Sequence, residues 1–380
     1  MLKSDSESSN TAPVKPKPVN DDELRLKVFA VDNPEALSSL VQELPHTDNP
    51  EIEYAYDVTP PKSVKRDRVW CAHCEKHSHW RGYVLRTETG ARYLVGKDCG
   101  LEHYGANFRL IEREFDSLRK RKHYLERLDE ARAAWPAASD ELNALSASKA
   151  FGQMNAMRNG LRRYFPELYP KLEEAAKRGG VLIVRRRVRD IAAEERASDA
   201  HDVVSRLLEQ MTVTERKNRR KAGTLPNVPD LNKQIFITVE DEFGRLEGAE
   251  FLLAHLGLRD DASAIVRRLQ LRFAKMLGEA TENISTGQLQ AFFRSTKADL
   301  EELEAVHREI QAPRRFFAPT NLRRISEWAK RRADISSEFA ADGSQLVRLD
   351  DETQVGFKSG YAAPGIEACL ELWKIASGER

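Results

Sequence analysis

The chain reads as a mainly α-helical protein with small α+β parts, and three features carry that expectation. Charged residues fill 32% of its 380 positions and aromatic residues 8%, and the mean hydropathy is −0.59, the balance of a charge-rich soluble protein. Two long segments place apolar residues three, four and seven apart, which is the period of one helix face: Ile111, Phe115, Leu118, Leu125 and Leu128, then Leu289, Phe293, Leu300, Leu303 and Ile310. The β-branched and aromatic runs that suit strands are short and concentrate before residue 108.

Taken in order, residues 1–22 are rich in Ser, Pro, Lys and Asp and poor in large apolar groups, so a disordered tail is expected. Residues 23–108 form a small α/β region. Alternation from Leu24 to Val31 predicts a strand; Asn33 and Pro34 supply an N-cap and first position for a helix over 35–44; a second strand spans 51–58 before Pro60 and Pro61. Residues 109–213 are expected to be a helical domain with one short strand. Its first helix stops at Trp135 before Pro136, others cover 139–163 and 167–178, Gly179 and Gly180 lead into a strand over 181–184, and a helix follows over 199–211. Residues 214–232, with Arg216, Lys217, Arg219, Arg220 and Lys221, read as a basic linker. The remaining 233–380 are mostly helical, with a strand over 234–240, a capping-box pair in Ser285 and Gln288, a helix over 321–332 turning Trp328 inward, and a last helix over 365–376 burying Ile366, Leu370 and Trp373. The helices are expected to pack as bundles.

Three of the four cysteines fall between Trp70 and Phe108, with four of the nine histidines. Cys71 and Cys74 have the spacing at which a tight turn aims two sulfurs at one ion. A helix starting near Asp98 would put Cys99 and His103 one turn apart on one face. Three thiolates and an imidazole form a closed tetrahedral set that suits structural Zn2+, and soft sulfur argues against calcium or magnesium. The fourth position is open between His103, which the helical spacing favours, and His77 or His79 beside the knuckle. Between the ligand pairs, residues 80–86 and 91–95 read as a hairpin turning at Gly90. Knuckle, hairpin and ligand-bearing helix in this order resemble a treble-clef zinc finger covering about residues 70–108. The resemblance implies a zinc cofactor and leaves the activity open.

Function is read from charge and from missing motifs. Lys plus Arg (61) and Asp plus Glu (60) nearly cancel, so only local patches speak. From Lys62 to Lys97 nine basic residues face three acidic ones. Lys65, Arg66, Arg68, Arg81, Arg86, Arg92 and Lys97, with Trp80 among them, offer phosphate neutralisation and base stacking. The expected function is non-enzymatic binding of nucleic acid, DNA or RNA, through this finger. The alternative is a protein–protein scaffold, or a homo-oligomer paired in coiled-coil fashion through the amphipathic helices, with the finger purely structural. Nucleotide-binding glycine loops, H-E-x-x-H and G-x-S-x-G are absent, and Val69 and Trp70 stand where a zinc deaminase needs Pro before Cys71, so catalysis is not expected. Cys369 alone lies outside the cluster, which excludes a disulfide framework and fits a reducing cytoplasm; no apolar run suggests a membrane span.

Overall fold

Long helices dominate the computed structural model, with 57% of residues helical and 17% in strands. The chain is therefore mainly α with small α+β parts. The structure describes residues 20–43, 50–63, 67–228, 234–253 and 257–379. Most of the expected tail, through residue 19, and the candidate residues Lys65 and Arg66 lie outside the described residues. Two compact units are present, each built from separated stretches: Met1–Leu142, Arg267–Glu301 and Glu367–Arg380 in one, Asn143–Val266 and Glu302–Ile366 in the other.

The first unit opens with a short helix, α1 (Asp21–Leu26), where alternation had suggested a strand. Asn20 caps it by accepting from the Asp22 backbone N–H, and three acidic residues in its first turn suit the helix dipole. Only Leu24 is then fully buried, while Leu26 is 84% exposed. The expected helix over 35–44 shrinks to a 3-10 turn, Pro34–Ala36. Past it the chain instead pairs with a sheet edge: the Arg92 backbone N–H donates to Ser39 and that of Val41 to the Arg92 carbonyl.

That sheet is β1 (Glu51–Asp57), β4 (Arg81–Arg86) and β5 (Arg92–Gly96), antiparallel in the order β1-β4-β5. Gly90 turns the β4–β5 hairpin with φ +84. Tyr56, Val58, Val69, Val84 and Leu94 make the buried cluster on one face of it. A second ribbon, β2 (Val69–Cys71) with β3 (Lys76–His79), carries the knuckle. From Lys97 the chain enters α2 (Lys97–Ala147), broken at Gly105, where φ is +55 and ψ −124. This helix runs on through Pro136 instead of stopping at Trp135. Proline removes one helical hydrogen bond, but Ala138 and Leu142 beyond it are fully buried, so packing outweighs the local penalty.

In the second unit α3 (Ala150–Tyr164) and α4 (Tyr169–Lys177) lead to Gly179 and Gly180. Gly180 has φ +88, and a Cβ there would lie 2.3 Å from the Leu246 carbonyl oxygen. The strand expected over 181–184 extends through its arginines as β6 (Val181–Arg189), antiparallel to β7 (Phe236–Arg245). α5 (Ile191–Gln210) starts well before the expected residue 199 because Asp190 caps it. The segment read as a basic linker begins with a helix, α6 (Val213–Lys221). Thr212 and Glu215 form its capping box: the Glu215 backbone N–H donates to Thr212 Oγ1 at 3.3 Å, and the Thr212 backbone N–H to Glu215 at 2.9 Å.

α7 (Leu258–Gly278) and α8 (Thr286–Phe316) follow, the latter starting at the expected Ser285–Gln288 box. α9 (Pro319–Lys330) buries Trp328, whose indole N–H donates to the Ile183 carbonyl at 2.9 Å. A three-stranded sheet, β8 (Phe339–Asp342), β9 (Gln345–Arg348) and β10 (Gln354–Gly356), had no counterpart in the sequence reading. Its strands are too short to show a period, although Gly343 between β8 and β9 has the positive φ of a tight hairpin (+55). The last helix, α10 (Glu367–Ser377), buries Cys369, Leu372 and Ala376, while Leu370 faces solvent.

Candidate metal centre

The knuckle is a backbone device. The Glu75 N–H donates to the Cys71 carbonyl at 2.9 Å, with Glu75 itself at φ +53. The next donor along, the Ala72 N–H, reaches the Leu94 carbonyl at 2.9 Å and fastens the turn to β5. β5 ends at Gly96, immediately before α2, so Cys99 rises in the first helical turn toward the knuckle. Gly96 is required here because a Cβ would fall 2.6 Å from the His79 ring.

The Cys71, Cys74 and Cys99 sulfurs all lie within 4.8 Å of one another, with Cys71 buried and the other two half-buried. Burial opposes ionisation of Cys71, but N–H groups of Cys74, Gly96 and His73 point at its sulfur and hold its pKa below the usual thiol value. Cys99 behaves oppositely: burial, and then the neighbouring sulfurs of Cys71 and Cys74, push it up to about 12. Three sulfurs this close cannot all ionise without a compensating cation, and a coordinated metal removes thiol protons outright. The donor set therefore fits a soft or borderline transition metal.

No histidine, aspartate or glutamate joins the three sulfurs among the described residues. His103 is exposed on α2, its ring 5.5 Å from that of His73. His77 points its Nδ1 at the Arg68 carbonyl at 2.6 Å and sets its ring against Trp70. His79 places Nδ1 3.2 Å from the Tyr56 hydroxyl, while its Nε2 is buried without a hydrogen-bond partner. His73, between the two knuckle cysteines, likewise has a buried Nδ1 without a partner.

The structure also places the described basic residues of the 62–97 window. Arg68 stacks over Trp80, 4.8 Å from the ring centroid. Arg81 pairs with Asp57 at 2.8 Å, the side chains 74% and 53% exposed. Lys97 pairs with Glu112 at 2.8 Å. Arg86 lies 3.9 Å from Glu53, but the main partner of Glu53 is Arg92, which holds it at 2.6 and 2.7 Å and also donates to Ser38. Hydrogen bonds from Arg92 pull the Glu53 carboxyl below its usual range. The partners Glu53, Asp57 and Glu112 all lie outside the 62–97 window over which charge looks lopsided.

Arg81 and Lys97 converge on an open groove of about 460 Å3 over β1 and β4. Its walls include Val31, Gly82 and Tyr83, with Arg119 adding a third cation and Asp32 and Asp57 two carboxylates. Arg119 escaped the sequence reading because it sits far along α2, beyond the finger. The site and fold together define a mainly helical protein with a cysteine cluster able to hold a metal. No family model, no curated protein and no solved structure matches the chain.

Proposed function

We propose that this is a non-enzymatic zinc-binding protein whose finger holds a strand of nucleic acid in the groove over β1 and β4. In this reading Cys71, Cys74, Cys99 and His103 hold one structural Zn2+ in a treble-clef-type arrangement. His103 is favoured as fourth ligand because it stands one helical turn beyond Cys99 and its ring already lies against His73 in the knuckle. His77 is drawn away by the Arg68 carbonyl and His79 by Tyr56.

The observation that carries the nucleic-acid reading is the convergence of Arg81, Lys97 and Arg119 around Tyr83 in one groove. A base stacks on a flat ring while cations neutralise the phosphates beside it. The carboxylate partners of Arg81 and Lys97 do not forbid this, since exposed ion pairs contribute little and phosphate can replace them. Arg92 is different: clamped on Glu53 and 19% exposed, it is assigned to holding the sheet edge. Arg68 and Arg86 are proposed as further phosphate contacts, and Trp80, packed against the buried cluster with Arg68 over its ring, as their support. Changing Arg81 and Lys97 together to Ala is expected to weaken single-strand binding about tenfold, and to flatten the salt dependence by roughly 0.7 in log–log slope per lost contact. Fluorescence anisotropy across a salt series checks it, and an unchanged slope would remove the groove from the interface.

One observation favours a second reading. α5 has no buried residue, leaving Val203 62% and Leu207 42% exposed. Pairing of this face with a second copy predicts a mass near twice 43.2 kDa in light scattering. A concentration-independent monomer would eliminate it.

A further inference from the structure

We infer that α6 is a second nucleic-acid contact, a helix that neutralises backbone phosphate in the second unit. The inference rests on the reading of the protein as nucleic-acid-binding, but not on the groove. Within its nine residues α6 carries Arg216, Lys217, Arg219, Arg220 and Lys221 against the single carboxylate of Glu215. All of these side chains are exposed. Glu215 is occupied by the capping box with Thr212, and its only electrostatic neighbour among the five cations is Arg219, one turn later. Arg216, Lys217, Arg220 and Lys221 have no carboxylate partner among the described residues.

The contrast with the neighbouring ribbon gives this weight. Arg185 pairs with Glu240, Arg186 with Asp241 and Arg189 with Glu194, while Arg187 lies over the Phe236 ring. The arginines of β6, which look equally basic in sequence, are thus satisfied within the fold. Those of α6 are not. Arg216 with Arg220 and Lys217 with Lys221 are like charges one helical turn apart, an arrangement that weakens a helix unless an anion lies across it. The last turn alone would suffice to offset the helix dipole, and the cations extend beyond it.

Charge complementarity points to a regular polyanion. Protein partners are gripped by buried aromatic and apolar anchors, and helices that lie on membranes need an apolar face. α6 has neither, Val213 being its only large apolar residue. Long cationic stems on a solvated helix match the evenly spaced charges of a nucleic-acid backbone.

The test uses the full metal-loaded chain and a labelled mixed-sequence DNA oligonucleotide, as single strand and as duplex, with anisotropy read over a salt series. The quadruple variant Arg216→Gln, Lys217→Gln, Arg219→Gln and Arg220→Gln keeps helix-forming side chains and buries nothing. Its affinity is expected to fall at least about tenfold, with the duplex slope flattened by roughly 0.9 per lost phosphate contact. A control removing equal charge, Arg185→Gln, Arg186→Gln, Arg187→Gln and Arg189→Gln, is expected to change binding far less. Unchanged affinity in the α6 variant, or equal loss in the control, overturns the inference. So does retention on phosphatidylserine vesicles without retention on DNA. Loss in the Arg81/Lys97 variant with an intact α6 variant sinks this inference and leaves the groove standing; the reverse result does the opposite. A wild-type chain that binds neither DNA form, nor a single-stranded RNA of the same sequence, at low salt ends both.

Discussion

Cys99→Ser is expected to abolish transition-metal binding and to unfold the knuckle that carries Cys71 and Cys74. The magnitude follows from how little else holds the knuckle together. The sheet beside it has a core of its own, with Tyr56, Val58, Val69, Val84 and Leu94 in one cluster and Ile52, Leu85, Tyr93 and Val95 also buried, but within residues 71–76 only Cys71 and Ala72 are buried. Ordering the backbone there costs about 1–2 kcal/mol per residue, which two small side chains do not offset. A structural zinc supplies apparent binding free energy of about 10–16 kcal/mol, which in such modules is folding free energy. Cys99 is the ligand to test because it is the only cysteine of the cluster supplied by α2; Cys71 and Cys74 share one turn. Elemental analysis of the purified chain, with circular dichroism before and after a strong chelator, makes the measurement. A metal-free protein with an unchanged spectrum and melting curve would sink the metal centre and the finger with it. His103→Ala is the sharper probe of the fourth ligand: weakened but surviving metal binding there, with His77→Ala unaffected, is the expected pattern.

What was legible in the sequence was whatever neighbouring residues decide among themselves. The Cys71–Cys74 spacing, the turn at Gly90 and the Ser285–Gln288 box are short-range chemistry, and the structure has each where the sequence placed it. The misreadings have two causes, local signals masked by a competing pattern and contacts distant in sequence. Alternation from Leu24 to Val31 resembles a strand, yet Asn20 and the acidic turn after it make a helix start. The Thr212–Glu215 box is equally local, but the basic, hydrophilic residues after it resemble a linker. Pro136 would end a helix in isolation, but distant contacts keep α2 running through it. The charge balance of residues 62–97 likewise depends on distant residues, since Arg92, Arg81 and Lys97 find their carboxylates outside that window. Cations that the fold leaves unpaired are the stronger mark of a polyanion surface, while exposed pairs such as Arg81–Asp57, Lys97–Glu112 and Arg119–Asp116 must first exchange a carboxylate for phosphate. That criterion separates α6 from the arginines of β6.

A buried ion pair in the first unit joins α1 to α2, and Asp21→Ala is expected to be among the most damaging changes outside the cysteine cluster. Asp21 is 4% exposed, and both its oxygens accept from Arg121, each at 2.6 Å. The guanidinium continues to the Ile284 and Thr281 carbonyls at 2.9 and 3.3 Å, so one cation binds the start of α1, the middle of α2 and the turn before α8. Removing the carboxylate leaves the charged guanidinium poorly solvated, its side chain 18% exposed. Breaking a buried pair on one side costs about 3–5 kcal/mol. Asp21→Asn should recover part of this by keeping hydrogen-bond acceptance without charge. The double change Asp21→Leu with Arg121→Met should be milder than Asp21→Ala alone, because replacing both charges leaves neither one buried without a partner. Urea denaturation of the metal-loaded chain, followed by a probe of the first unit, gives the comparison. If Asp21→Ala shifts stability by less than about 1 kcal/mol, the pair behaves as a solvated surface contact, and the tie between α1 and α2 must come instead from the buried Leu24 and the Arg25–Asp129 bridge.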